Sequence, residues 1–211
     1  MRTRILVVGV LFGMIVGRPL SQAQGTQAPN SFQWTGFFES LRSAEENAAV
    51  SESEFGKPPD MGKPFKDIRK DGGFLVGFEL TRGDWFGFPL FQSIQPIYFT
   101  PNGKELGQRR GNAGHDPFKI EARDGYAVSS VTLLPGHFLF SIQLTFMKID
   151  VLRQALDPTD SYKSEVYGDL DHHPEWAPTK QLGKDTPIIG LFGYAENFIN
   201  GLGVVSAPEA P

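Results

Sequence analysis

Ser93-Ile94-Gln95-Pro96-Ile97-Tyr98 returns as Ser141-Ile142-Gln143-Leu144-Thr145-Phe146, 48 positions further along the chain. Each copy follows a small-residue-punctuated apolar run. Phe74-Leu75-Val76-Gly77-Phe78 precedes the first, and Tyr126-Ala127-Val128-Ser129-Ser130-Val131 precedes the second. A looser third copy runs from Ile188-Ile189-Gly190-Leu191-Phe192-Gly193 to Leu202-Gly203-Val204-Val205. A period near 50 residues marks one supersecondary unit used several times. In the second copy Ile142, Leu144 and Phe146 share one face of an extended chain, and Ser141, Gln143 and Thr145 share the other. The repeated unit is therefore built from strands.

Working outward, turn and strand signals alternate. Phe74–Leu80 and Ser93–Thr100 read as strands, with Pro96 withdrawing a backbone donor and pointing to an edge or bulge position. Pro101-Asn102-Gly103-Lys104 is a hairpin turn, and Glu105–Gln108 its return strand. Phe118, Ile120 and Ala122 alternate with Lys119, Glu121 and Arg123, as in a half-buried strand. Asp124-Gly125 and Pro135-Gly136 turn the chain into Tyr126–Leu134 and Phe138–Ile149. Residues 156–181 carry Pro158, Pro174 and Pro178 and read as loop. Ile188–Phe192 and Ile199–Val205 close the domain. About nine to twelve strands and at most one helix predict an all-β sandwich, barrel or prism.

The first 66 residues differ. Arg2 and Arg4, an apolar run from Ile5 to Val16, and Ser21-Gln22-Ala23 follow the order of an export signal cut after Ala23. Those twelve apolar residues would span about 18 Å as a helix, short of a bilayer core of roughly 30 Å. Residues 24–66 read as a polar segment. Within it Phe37, Leu41, Ala44 and Ala48 recur at helical spacing over Gly36–Val50, with Thr35 as a candidate cap. That helix either docks on the main domain or forms on a partner. Ser51–Pro64, rich in Pro and Gly, reads as a linker. Residues 67–205 form the domain, and 206–211 a tail.

Composition narrows the function. There is no cysteine, so disulfides, thiolate metal sites and lipid-modified cysteine anchors are excluded. Removing Arg2, Arg4 and Arg18 with the leader leaves 17 basic against 24 acidic residues, a net charge of −7. That argues against nucleic acid as a partner and against attraction to anionic membranes. Membrane insertion after cleavage is not expected, and the predicted location is secreted or periplasmic. The 188 residues left are enough for one domain.

The stretches from Phe74 to Val205 resemble the jacalin-like, β-prism lectin family. Ser93–Tyr98 with Asn102-Gly103 and Leu106-Gly107-Gln108 is similar to that family's strand, Asn-Gly turn and return strand. Phe118–Val131, ending in Ser141–Phe146, is similar to its central stretch. Ile188–Gly193 with Leu202-Gly203 is similar to its last hairpin. The resemblance implies an all-β prism of three small antiparallel sheets, with the short N-terminal helix outside it. It also implies sugar binding through a Gly-x-x-x-Asp loop in the last hairpin. The matching stretch is Glu196-Asn197-Phe198-Ile199-Asn200, where Glu196 stands for the glycine and Asn200 for the aspartate. An Asn amide both donates to and accepts from hydroxyls, but lacks the charge-assisted bond, which is about twice as strong.

The other polar clusters lack the spacings that chemistry requires. Asp169, Asp171, His172, His173 and Glu175 offer metal-ligand types without an established spacing. Asp157, Asp160 and Asp169 lack a calcium-loop pattern. His115 and His137 sit at turn or loop positions. No nucleophile elbow and no phosphate-binding Gly-rich loop before a helix is present. Catalytic residues, metal sites and cofactors are therefore not expected. Trp85, in Arg82–Pro89, either stacks on a sugar or partner surface, or folds back to cover the end of the domain. Trp176 offers the same choice on another loop. The sequence predicts an exported, non-enzymatic carbohydrate-binding domain with Glu196, Asn197, Asn200 and Trp85 as contacts. The alternative is a structural or protein-interaction module of the cell envelope or extracellular space, whose partner is a protein surface. A hydrolase ranks third.

Overall fold

A computed structural model describes residues 31–46, 51–56, 62–134, 138–168 and 180–208. The elements run α1 (Ser31–Glu46), β1 (Ser51–Gly56), β2 (Lys63–Ile68), β3 (Phe74–Trp85), β4 (Phe88–Thr100), β5 (Gly103–Leu106), β6 (Arg110–Gly111) and β7 (His115–Glu121). They continue with β8 (Tyr126–Leu134), β9 (Ser141–Asp150), β10 (Ala155–Lys163), β11 (Tyr167–Gly168), β12 (Lys180–Leu182), β13 (Ile188–Ala195) and β14 (Ile199–Ser206). The export leader, the Asp169–Glu175 cluster, His137, Trp176, Pro135-Gly136 and the last three residues of the tail lie outside the described residues.

The strands form three antiparallel sheets around a common interior. Each has a central hairpin with one strand on either side. β5 and β7 flank β4 and β3; β10 and β12 flank β9 and β8; β1 and β2 flank β14 and β13. The short β6 and β11 add to β4 and β9. The third sheet takes its outer strands from the start of the chain and its hairpin from the end, which closes the ring. The repeated phrase thus has a structural counterpart: Ser93–Tyr98 lies on β4 and Ser141–Phe146 on β9, the second strands of equivalent hairpins.

The hairpins also share an irregularity. One extra residue bulges from the first strand of each: Val76 in β3, Ser129 in β8 and Ile189 in β13. A bulge bends the strand and sharpens its twist, as a three-sided closure requires. The freed carbonyls of Val76 and Ile189 accept from the N–H groups of Ala122 (2.8 Å) and Arg69 (2.9 Å), each just past the neighbouring outer strand. The next residue is Gly77 or Gly190 for a steric reason. A Cβ there would lie 2.3 Å from the Ile120 carbonyl oxygen or 2.7 Å from that of Asp67. The glycines that punctuate the repeat mark where an outer strand comes closest.

The interior is continuous. Phe74, Phe78 and Leu80 from β3, Ile142, Leu144 and Phe146 from β9, and Ile188, Leu202 and Val204 from the third sheet are all buried. With no disulfide to help, this burial, about 1.5–3 kcal/mol for each large side chain, is the main stabilising term. Pro96 sits on β4, an inner strand, opposite Phe78. Its missing N–H falls in the gap between β5 and β6, and its carbonyl accepts from Gly107 N–H at 2.8 Å.

Three expectations are corrected. The described helix spans Ser31–Glu46 and starts before Gly36, so Thr35 lies within it and does not cap it, while residues 47–50 lie outside the described residues. It lies outside the sheets and docks on them. Phe37, Phe38, Leu41 and Ala44 are buried, and Phe37 meets Phe74 edge-on at 5.3 Å. Second, the supposed linker supplies β1 and β2, so the sheets begin at residue 51, not 67. Both strands lie on the edges of their sheet, and Pro64 is tolerated because β2 has a single neighbour. Third, the stretch after Leu156 read as loop contains β10, β11 and β12. β10 is an edge strand whose register slips between Asp157 and Ser161, around Pro158.

Among the described residues, no helix is long and apolar enough to cross a membrane.

Candidate functional site

The tips of the β3–β4 and β13–β14 hairpins meet the irregular segment leading into β9 at one end of the prism. Here Leu90, Phe138 and Phe140 form a small apolar cluster of their own, with Trp85, Phe88 and Phe198 packed against it. Leu139 stitches the end together. Its N–H donates to the Ile199 carbonyl (3.1 Å), and its carbonyl accepts from Phe91 N–H (3.0 Å).

Glu196, Asn197 and Phe198 make the turn between β13 and β14, closed by Glu196 N–H donating to the Phe198 carbonyl at 3.1 Å. Glu196 and Asn197 are exposed. Asn200 is buried and occupies a second bulge. Tyr194 pairs with Gly201 and Ala195 with Ile199, so Asn200 is the unpaired residue between them. A bulge re-aims its side chain out of the regular alternation. The Asn200 Oδ1 comes within 3.0 Å of where a Cβ would stand on Gly62, at the start of β2. Gly62 has φ +132° and also packs on the Ala195 backbone, so a larger residue there would displace the amide.

Asn112, from the β6–β7 connection, reaches the same turn. Its Nδ2 donates to Asn197 Oδ1 at 2.9 Å, and its backbone N–H to the Asn197 carbonyl at 3.3 Å. Both side chains are exposed, so the pair keeps donor and acceptor capacity for a ligand. Sequence reasoning missed Asn112 and Gly62. Their local signals, a Gly-flanked Asn and a glycine in a Pro-rich stretch, do not reveal contacts with residues more than 80 positions away.

Trp85 is half-buried and folds onto Phe138 at 5.2 Å, and Phe138 contacts Phe198 at 5.1 Å. Two ring contacts therefore join Trp85 to the turn that carries Asn197. The exposed aromatic at the hairpin tip is Phe86, 86% accessible. Phe86 and Gly87 have φ of +53° and +87°, the tight primed turn that suits a two-residue hairpin. Asp84 Oδ1 accepts from Gly87 N–H at 2.8 Å and holds it.

The other polar candidates go elsewhere. His115 pairs with Asp116 at the surface. Asp160 accepts from the Tyr126 hydroxyl (2.7 Å) and faces Lys148 (3.2 Å). These two contacts, the tyrosine first, hold its carboxyl below the usual range. Asp157 accepts from Thr159. Both aspartates are committed to an exposed network on β10.

No protein-family model matches the chain, and no curated protein sequence does. Solved structures do. Malaysian banana lectin is 16% identical at a TM-score of 0.52, over 76% of this chain and 99% of that one. A single-chain recombinant jacalin is 15% identical at 0.52, over 75% and 93%. Artocarpin complexed with methyl-α-mannose is 16% identical at 0.51, over 74% and 96%. At these identities the likeness is one of fold, and it agrees with the three-sheet closure. The chain is a β-prism of the jacalin-like kind.

Proposed function

We propose that the chain is an exported, non-enzymatic domain that binds carbohydrate at the hairpin-tip end of its prism. Glu196, Asn197 and Asn200 are its polar contacts, and Trp85 is an apolar wall. Asn200 carries the reading: a bulge turns its buried amide toward Gly62, three residues after Asn197, which belongs to an exposed pair of asparagine amides. Amides suit hydroxyls because each both donates and accepts. Several proteins of the same fold are named lectins, and another, artocarpin, was solved with methyl-α-mannose, which supports the ligand class. A neutral amide in place of the family's carboxylate predicts weaker binding than a charged contact gives.

A glycan array probed with wild type and with Asn200→Ala tests the site. The wild type should retain glycans that the variant loses or holds at least about tenfold more weakly. Retention of no glycan, or of the same glycans equally by both, contradicts the reading. The proposed export, to the cell exterior or the periplasm, predicts a mature chain beginning at Gln24, which intact mass will show. The alternative of a protein-interaction module draws on Phe86, whose exposed ring stands at the same end. Loss of partner binding in Phe86→Ser with glycan binding unchanged would favour it.

A further inference from the structure

The opposite end of the prism carries a cleft of about 560 Å³ between α1 and the β4–β5 hairpin. That volume lies within the range of small-ligand sites. Trp34, Phe38 and Phe99 form its floor. Trp34 lies across Phe99 at 5.3 Å and stacks on Phe38 at 6.0 Å, so the three rings make one apolar surface. Trp34 and Phe99 are only half-buried, and that surface remains open on the cleft side.

The rim is charged in both senses. Glu39 and Arg42, three apart on α1, are exposed and line the cleft, as does Asp71. Asp71 is already held by Arg69 and by Gly73 N–H (3.0 Å), so its charge is largely answered. Acceptors and a donor thus surround an aromatic floor with little net charge. A strongly charged ligand gains little there. A neutral ring with one apolar face and hydroxyls of both hydrogen-bonding senses matches floor and rim together.

We propose that this cleft is a second carbohydrate site, taking a neutral pyranose against Trp34 and Phe99 with hydroxyls to Glu39 and Arg42. It is built from different elements than the Asn200 site and stands independently of it. Two sites at opposite ends let one chain bridge two glycans, giving avidity without an oligomer.

The test follows the tryptophan indole N–H signals of the processed full chain by NMR. The three tryptophans are Trp34, Trp85 and Trp176, and Trp34→Phe assigns the first. The probes are methyl-α-mannoside, lactose, cellobiose and chitobiose, with tetramethylammonium as a charged control. The Trp34 signal should shift saturably with at least one sugar and keep that response in Asn200→Ala. Glu39→Gln and Arg42→Ala, both exposed, should leave the melting temperature unchanged and weaken the response about tenfold. No Trp34 shift with any sugar overturns the second site, even where the Asn200 end binds. A shift that disappears in Asn200→Ala overturns it too, since Trp34 would then only report the first site. A shift with tetramethylammonium in place of sugar overturns the ligand class. A Trp34 response with no binding at the Asn200 end supports this site and removes the function proposed above.

Discussion

The two ends of the prism are finished by different means. At the helix end, α1 lays Phe37, Phe38 and Leu41 over the start of β3 and the close of β4, and side chains seal the interior. At the hairpin-tip end the sealing is lighter. Three buried residues and three half-buried rings suffice, and backbone hydrogen bonds through Leu139 tie the elements together. The contrast teaches that one end is held by apolar burial and the other by backbone geometry. At the hairpin-tip end this leaves Glu196, Asn197 and Asn112 exposed around the buried Asn200, whereas the helix end keeps its exposed polar groups, Glu39 and Arg42, on the rim of an aromatic cleft.

The largest expected effect tests the sealed end. Phe37→Ala removes a fully buried ring and should cost about 3–5 kcal/mol in urea unfolding. It should leave glycan binding at the Asn200 end intact. A parallel fall in affinity in the still-folded variant would mean that the ends are coupled, and the contrast would fail.

Gly77→Ala probes the sheet between the ends. Its Cβ would press on the Ile120 carbonyl, and the cost should be about 1–3 kcal/mol. A neutral result would show that the bulged hairpin does not fix the approach of β7.

Asn112→Ala sharpens the other side. Stability should change by no more than about 0.5 kcal/mol, because the residue is exposed. Glycan affinity should fall about two- to tenfold through loss of one hydrogen bond and a looser turn. Unchanged affinity would remove Asn112 from the site.

The smallest effect is on pH dependence. Asp160 is held below its ordinary pKa by Tyr126 and Lys148. Its contribution is therefore present above the ordinary carboxylate value of about 3.9 and is lost as pH falls through the lower folded value. The melting temperature of the wild type should drop more steeply than that of Asp160→Asn below about pH 4. Equal slopes would show that the network on β10 adds nothing.

The inner hairpins were legible because their apolar alternation is strong and repeats, with Gly77 and Gly190 marking the same place in two copies. The outer strands were not. β1 reads Ser-Glu-Ser-Glu-Phe-Gly, and β10 carries Asp157, Pro158 and Asp160. Such edge strands are defined by the ladders they join, not by a pattern of their own. Within the candidate site, Asn200 stands out in the sequence only through its place in the last hairpin. Its bulge, its closeness to Gly62 and the Asn112–Asn197 pair depend on how distant strands stack, and no local spacing encodes that. From its sequence context Trp85 fits either a ligand surface or a cover. Its half-buried ring packs on Phe138 and so covers part of that end.

Residue-resolved NMR during a glycan titration tests the central claim most directly. The amide signals of Asn112, Asn197 and Asn200 should move together along one saturation curve, and that response should vanish in Asn200→Ala while the fold's dispersed spectrum persists. Signals from those three residues that stay fixed while the chain takes up sugar elsewhere, or takes up none, would contradict it.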